Sequence, residues 1–392
     1  MNSLILDSLN IEKRSSFTLN TQIKVVTTTE DFLIIKEDWE RIEQMASDLS
    51  YYSTFHFNYC WWLTYGQDKY NKLFIICCYR DNRIVGIAPL MIREIDKKII
   101  KCNELCFLGK GDYFNFIVDS SQFSSLAIIK DIFHAIEENS NRWDRIVLTH
   151  IQKDTQLLRY LLRHDKYNPH INYLTSCPRI DIKDFSSYKQ FDKEILNTKL
   201  RKKHEKLLSQ TQYRFKVVTG RQSDDIYDRI SHLHMMEKQY LQGDKGKSHR
   251  KSLFENKKNE EFLKRLFKDN DQVITFFLES EEGEMIVYKS CYSYGNILYG
   301  WNTAYSPKYA HYHGIADVLM IEMIQYLFEH DEGDQIDFGA GSYSWKFRWT
   351  NRFSVSYSFA MWNLSTPKTK LLRFLTKTRG LIQAVRGMSN EH

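Results

Sequence analysis

Residues 336–349 read IDFGAGSYSWKFRW, and the reading of this stretch decides the fold. An acid, Asp337, precedes Gly339 and Gly341; the aromatics Tyr343, Trp345 and Phe347 and the cations Lys346 and Arg348 follow. Two phosphate-binding readings fail on spacing. No G-x-x-x-x-G-K-S/T run occurs, and Gly339-Ala340-Gly341 meets Ser344 where a dinucleotide fingerprint needs its last glycine. Two readings remain: a plain strand with its turn, or an active-site floor whose glycines turn a strand end beside a cleft, with Asp337 entering the turn and Lys346 leaving it.

The flanks define the setting. Downstream, RFSVSYSFAMWN predicts a final strand. Upstream, the helix GIADVLMIEMIQYLFEH confines its polar positions Glu322, Gln325 and Glu329 to one stripe, so most of it is expected to be buried. Before it, MIVYKSCYSY and ILYGWNTAY flank Gly295-Asn296, a two-residue hairpin signal. That turn sets a register in which Tyr292 faces Tyr299, Cys291 faces Gly300, Ser290 faces Trp301, Lys289 faces Asn302 and Tyr288 faces Thr303.

An anion site is better placed in the loop SPKYAHYH and the helix N-terminus at Gly314, where unpaired N–H groups and the positive dipole end face out and Lys308, His311 and His313 lie close by. An ordinary strand-to-helix loop accounts for the same residues. Metal binding lacks support, because His232/His234 and His311/His313 come without a carboxylate or cysteine cluster. Neither a G-x-S-x-G elbow nor a local cysteine signature occurs, which leaves direct transfer between two bound substrates.

The N-terminal half alternates helices and strands: a strand near 22–28, a helix over 30–47, the aromatic segment STFHFNYCWWLTYG, strands KLFIICCYR, RIVGIAPLMIRE and KCNELCFLG, a helix over 122–139, then RIVLTHI, TQLLRYLLRH and CPRIDI. Residues 183–212 turn polar and cationic, and KLRKKHEK within them is either a phosphate grip or a solvated helix face. At 392 residues the chain exceeds one ordinary core. The expected division is 20–182, a connector over 183–212, 213–363, and a basic amphipathic tail over 364–392 that packs on the domain or touches a membrane surface. Seven cysteines, an odd number in mostly apolar surroundings, predict buried free thiols. The start MNSLILDSLNIEKRSS has no secretory pattern and no run approaches ~20 apolar residues, so a cytoplasmic protein is expected. A net charge of +6 suits an anionic small-molecule substrate without calling for bulk nucleic acid.

The order of strand, hairpin, strand, phosphate loop, buried helix and DFGAGSYSWK resembles the C-terminal half of the GNAT acyltransferase superfamily. It is closest to the CelD-like branch related to the Fem-type aminoacyl transferases, whose D-x-G-x-G segment and aromatic-Lys pair match Asp337, Gly339, Gly341, Trp345 and Lys346. In the first half TFHFNYCWWLTYG, IVGIAPL, FLGKGDYFNF, CPRIDI and KLRKKHEKL look like that branch in order, so the likeness spans roughly 25–363. It implies an α/β fold of tandem GNAT-like domains sharing a cleft and an N-acyltransferase using acyl-CoA as co-substrate, with no tightly bound cofactor and no metal. The superfamily's Q/R-x-x-G-x-G/A coenzyme signature falls on His311, Gly314 and Ala316; histidine departs from Gln or Arg. Tyr305 and Lys308 complete that expected donor site. Asp337 is the expected proton acceptor or amine-orienting group and Lys346 the anion-binding group, with a turn cap and a solvated lysine as the plain alternatives. Tyr299, Trp301 and Tyr343, with Asp112, Tyr113 and Asn115 of GDYFNF, are expected to line the acceptor pocket. The implied acceptor is a small-molecule amine, an amino sugar or nucleotide-linked amino sugar of surface polysaccharide synthesis. Fem-type relatives take aminoacyl-tRNA instead; the low charge and the lack of a long coiled-coil insertion weigh against tRNA here, and DNA is not an expected partner. A non-catalytic binding protein of degenerate GNAT shape is the remaining reading.

Overall fold

The computed structural model describes residues 21–376 apart from 97–99, 122 and 224; the N-terminal start and the tail beyond 376 lie outside the described residues. The first half runs β1 (Thr21–Val26), α1 (Thr29–Ile34), α2 (Lys36–Met45), α3 (Phe55–Trp61), β2 (Asn71–Leu73), β3 (Ile75–Arg80), β4 (Arg83–Ala88), β5 (Leu90–Asp96), β6 (Lys101–Phe107), β7 (Ile117–Val118), α4 (Ser125–Glu138), β8 (Arg145–Gln152), α5 (Gln156–Arg163) and β9 (Ile171–Asp181). The helices α6 (Tyr188–Ile195) and α7 (Thr198–Gln210) follow. The second half runs β10 (Tyr213–Thr219), α8 (Ile226–Gly243), α9 (Lys257–Phe267), β11 (Val273–Ser280), β12 (Met285–Tyr294), β13 (Ile297–Tyr305), α10 (Ile315–His330), β14 (Gln335–Asp337) and β15 (Phe353–Trp362).

RIVGIAPLMIRE, expected as one strand, is two. Pro89 has no N–H to give a ladder, so β4 stays in a four-stranded sheet, β1-β3-β4-β7, while β5 enters a long sheet ordered β10-β11-β12-β13-β14-β9-β15-β8-β6-β5-β2. The predicted turn at Gly295 and Asn296 forms, with φ of 56° and 59°, and a like turn at Asp81 and Asn82, with φ of 48° and 64°, joins β3 to β4.

The hairpin register needs a correction. Tyr292 does face Tyr299 and Cys291 faces Gly300, but the ladder then shifts, so that Ser290 faces Asn302, Lys289 faces Thr303 and Tyr288 faces Ala304. Trp301 is the extra residue of a β-bulge, which spacing alone does not announce. Its ring lies against Tyr292, Phe254 and Phe267, and this packing accounts for the shift.

The halves repeat one hydrogen-bond scheme. In the first, β6 runs parallel to β8 and Asp144 N donates to Asn103 O at 2.8 Å; in the second, β13 runs parallel to β14 and Asp334 N donates to Asn296 O at 2.8 Å. The strand that closes each seam comes from the other half. The first-half strand β9 pairs antiparallel with β14, and the last strand, β15, pairs antiparallel with β8. Asn363 N then donates to Asp144 O at 3.0 Å and Ile182 N to Asp334 O at 2.8 Å, a matching pair. This reciprocal exchange makes one continuous sheet and ties the halves together.

Apolar packing follows the two faces of the second-half sheet. Tyr288, Tyr292 and Tyr299 join the core that holds α4, α8 and α9, while Val287, Cys291 and Leu298 join the core of α7 and α10. All seven cysteines are buried, and among the described residues none forms a disulfide. Among the described residues no helix is long and apolar enough to cross a membrane. The described part of the tail, a helix over 367–376, docks through buried Leu372 and a 2.7 Å ion pair of Lys368 with Asp144.

Candidate active site

Tyr299 and Asp337 are the last residue pair of the parallel β13–β14 ladder; beyond them the strands separate. Asp337 is 3% exposed. Its Oδ1 accepts from the Tyr113 hydroxyl at 2.6 Å and from Gly339 N at 2.7 Å, and among the described residues its Oδ2 accepts no hydrogen bond. Burial outweighs both donors and pushes its carboxyl up to about 7.

The glycine turn is built around this acid. Gly339 and Gly341 have φ of 74° and 108°, the left-handed region that side chains resist. A Cβ on Gly339 would lie 2.4 Å from Asp112 Oδ2, which accepts from Ala340 N at 3.2 Å. Burial raises the Asp112 carboxyl as well, against the Ala340 N–H. Two acids from different halves thus flank Gly339-Ala340. Lys346 points inward beneath them, 3% exposed, and donates to Gly339 O at 2.7 Å and Ala340 O at 3.0 Å. An ammonium has three N–H donors, so one remains. Burial pushes Lys346 down, opposed by the charges of Asp112 and Asp337. Lys346 is therefore a clamp on the turn as well as a buried charge near both acids.

The other expected acceptor residues divide. Tyr113 and Tyr299 rings stand 5.7 Å apart and form the aromatic side of the site. Trp301 lies behind Tyr292, in the bulge. Asn115 is buried but turned away, its amide donating to Asp48 O at 3.2 Å and accepting from Phe116 N at 2.9 Å. Tyr343 is 62% exposed and its ring lies 5.3 Å from the Lys346 ammonium, so it covers the lysine from outside.

Three residues sit here without a sequence signal that singled them out. Tyr52 packs 6.2 Å from both Tyr113 and Tyr299, and Tyr51 stacks on Tyr292 at 4.4 Å. His150 adopts a φ of 60° at the end of β8, and burial lowers its imidazole while the charge of Asp112 opposes that. A histidine held in the left-handed region marks a constrained site, but only coordinates reveal it.

The expected donor residues lie on the α10 side. Gly314 is the N-cap of α10, at φ 90°, with the Lys203 side chain 2.5–2.7 Å from where its Cβ would be. Ala316 is exposed in the first turn. His311 lies against Tyr312 at 4.0 Å, Tyr305 is half-buried, and Lys308 pairs with Glu284 at 2.7 Å on the surface. The cations that reach the helix start come instead from α7. A pocket of about 500 Å³ is lined by Lys199, Lys202, Lys203, Lys206, Tyr312 and His313 over the apolar Leu207, Ile315 and Val318. Within KLRKKHEK, Lys203 and His204 anchor α7 to α10 through Asp317 at 2.6 Å and Glu322 at 2.8 Å; Lys199, Lys202 and Lys206 stay exposed at the pocket. The solvated-face reading of that run thus holds for Lys199, Lys202 and Lys206, while Lys203 and His204 are taken up by α10.

The acetyltransferase (GNAT) domain family matches residues 196–347. Among solved structures, FemX matches with a TM-score of 0.54 at 11% identity, over 86% of this chain and 96% of FemX. L-PGS from Bacillus licheniformis matches with a TM-score of 0.51 at 14% identity, over 86% of this chain and 94% of that one. These are likenesses of fold alone. No protein with curated annotation matches the chain.

Proposed function

We propose that the chain, whose residues 196–347 match the acetyltransferase (GNAT) domain family, is an N-acyltransferase that moves an acyl group from acyl-CoA to an amine by direct attack. The observation that carries this reading is Asp337: a buried carboxyl at a strand seam, raised to about 7, fixed by Tyr113 and Gly339 on one oxygen and open on the other. A base poised near neutral pH matches the removal of a proton from an attacking amine. The amine nitrogen forms the new C–N bond, the thioester C–S bond breaks, and the proton taken by Asp337 passes to the departing thiolate.

In this reading Tyr52, Tyr113 and Tyr299 bound the acceptor, with Asp112 to orient it, and an amino sugar or nucleotide-linked amino sugar of surface polysaccharide synthesis is the acceptor proposed. Lys199, Lys202, Lys206 and His313 receive the phosphates of the donor beside the α10 N-terminus, with Gly314 and Ala316 in its first turn. Supplying acetyl-CoA and a panel of amino sugars should release free thiol in step with product. No release with any pair would count against the proposal.

A second donor, aminoacyl-tRNA, is favoured by one feature. The exposed Lys199, Lys202 and Lys206 that line the pocket would equally meet the phosphates of a longer polyanion. Salt-sensitive binding of tRNA that displaces coenzyme A would support it.

A further inference from the structure

Lys289 lies in the middle of β12, 8% exposed, in a run of otherwise buried residues. Its neighbours across the ladder are Phe276 and Thr303, and among the described residues its ammonium has no hydrogen bond and no ion pair. Core lysines without an acceptor are expensive, and a Met or Leu in this strand would pack without that cost. Burial accordingly pushes the ammonium down.

The side chain has a definite aim. It crosses Gly300, where a Cβ would come 3.2 Å from the Lys289 Nζ, and the Asp337 carbonyl lies 3.3 Å from that same point. The ammonium therefore ends at the seam where β13 and β14 part. It shares a sheet face with Val287 and Cys291, the face covered by α10, whereas Tyr299 belongs to the opposite core. A side chain at Gly300 would obstruct that approach.

We propose that Lys289 contacts the acyl donor, its ammonium donating a hydrogen bond to the carbonyl oxygen that is attacked. This assignment rests on the acyltransferase reading and adds to it a donor-side residue. As the amine nitrogen forms the C–N bond, the carbonyl π pair moves onto oxygen and faces Lys289; it returns as the C–S bond breaks and the thiolate leaves. The charge that is unpaired in the free protein is paired only while donor is bound.

Lys289→Met in the full chain tests this with two readouts. Its melting temperature should equal or exceed that of the unaltered protein, since an unpaired buried charge is lost. With acetyl-CoA, kcat should fall about 10²–10³-fold while KM for acetyl-CoA changes only a few-fold. A variant melting higher with kcat unchanged overturns the assignment. Should Lys289→Met not fold, Lys289→Gln decides: kcat at the level of the unaltered protein overturns the assignment, and a fall of about tenfold or more supports it. Absence of turnover in the unaltered protein overturns the transferase reading and this assignment with it.

Discussion

The two parallel seams of the sheet share a backbone scheme and differ in what they carry. Counted from the matching pairs Asn103/Asp144 and Asn296/Asp334, Tyr299 and Asp337 in the second half stand where the first half has Cys106 and Val147. Gly300 stands where the first half has Phe107. The first seam is filled: Phe107 stacks on Phe114, and Phe114 bridges to Ile151. The second instead carries an acid, an aromatic hydroxyl and a glycine. The first half supplies a loop, Gly111–Tyr113, that reaches the other seam and completes it. In the proposed reading, one scaffold serves as support in one half and as a reaction centre in the other.

The comparison is broken most strongly at Asp337. Asp337→Asn keeps acceptors for Tyr113 and Gly339 but cannot take a proton, and turnover is expected to fall about 10²–10⁴-fold while the fold persists. A loss under tenfold in steady-state assays would make the two seams equivalent. Folding should report the same residue. A carboxyl whose folded pKa is raised stabilises the fold below its unfolded value of about 4, and this contribution is lost as pH climbs through about 7. Asp337→Asn should therefore flatten the fall in melting temperature over that window.

Next comes the turn. Gly339→Ala must accept φ of 74° and displace Asp112 Oδ2, and a loss of roughly 1–3 kcal/mol in denaturant unfolding is expected. A smaller effect follows from Tyr113→Phe. The hydroxyl lowers the Asp337 carboxyl, so its removal should move the acidic limb of activity to higher pH. The least effect belongs to Lys308→Ala, which breaks an exposed pair with Glu284; turnover and KM for donor should stay within about twofold, because the pocket cations come from α7.

Much of this was legible from residues alone. Gly295-Asn296 gave its hairpin, the striped helix gave α10, and Asp337 to Lys346 pointed to a turn beside a cleft. What escaped shares one cause, contact between distant segments. The Trp301 bulge depends on Phe254 and Phe267, and the exchange of β9 and β15 depends on pairing of residues 171–181 with 335–337 and 353–359. Lys308 and His311 fit a loop motif, yet the cations at the helix start arrive from α7, a segment that local spacing could not place.

The pH dependence of kcat/KM, measured with acetyl-CoA and a competent amine, tests the central claim most directly. Activity should rise with pH through an apparent pKa near 7 and level off, and Asp337→Asn should lose that limb from its residual rate. An unaltered limb in Asp337→Asn, with the variant folded, would contradict the assignment of the second seam as the transfer centre.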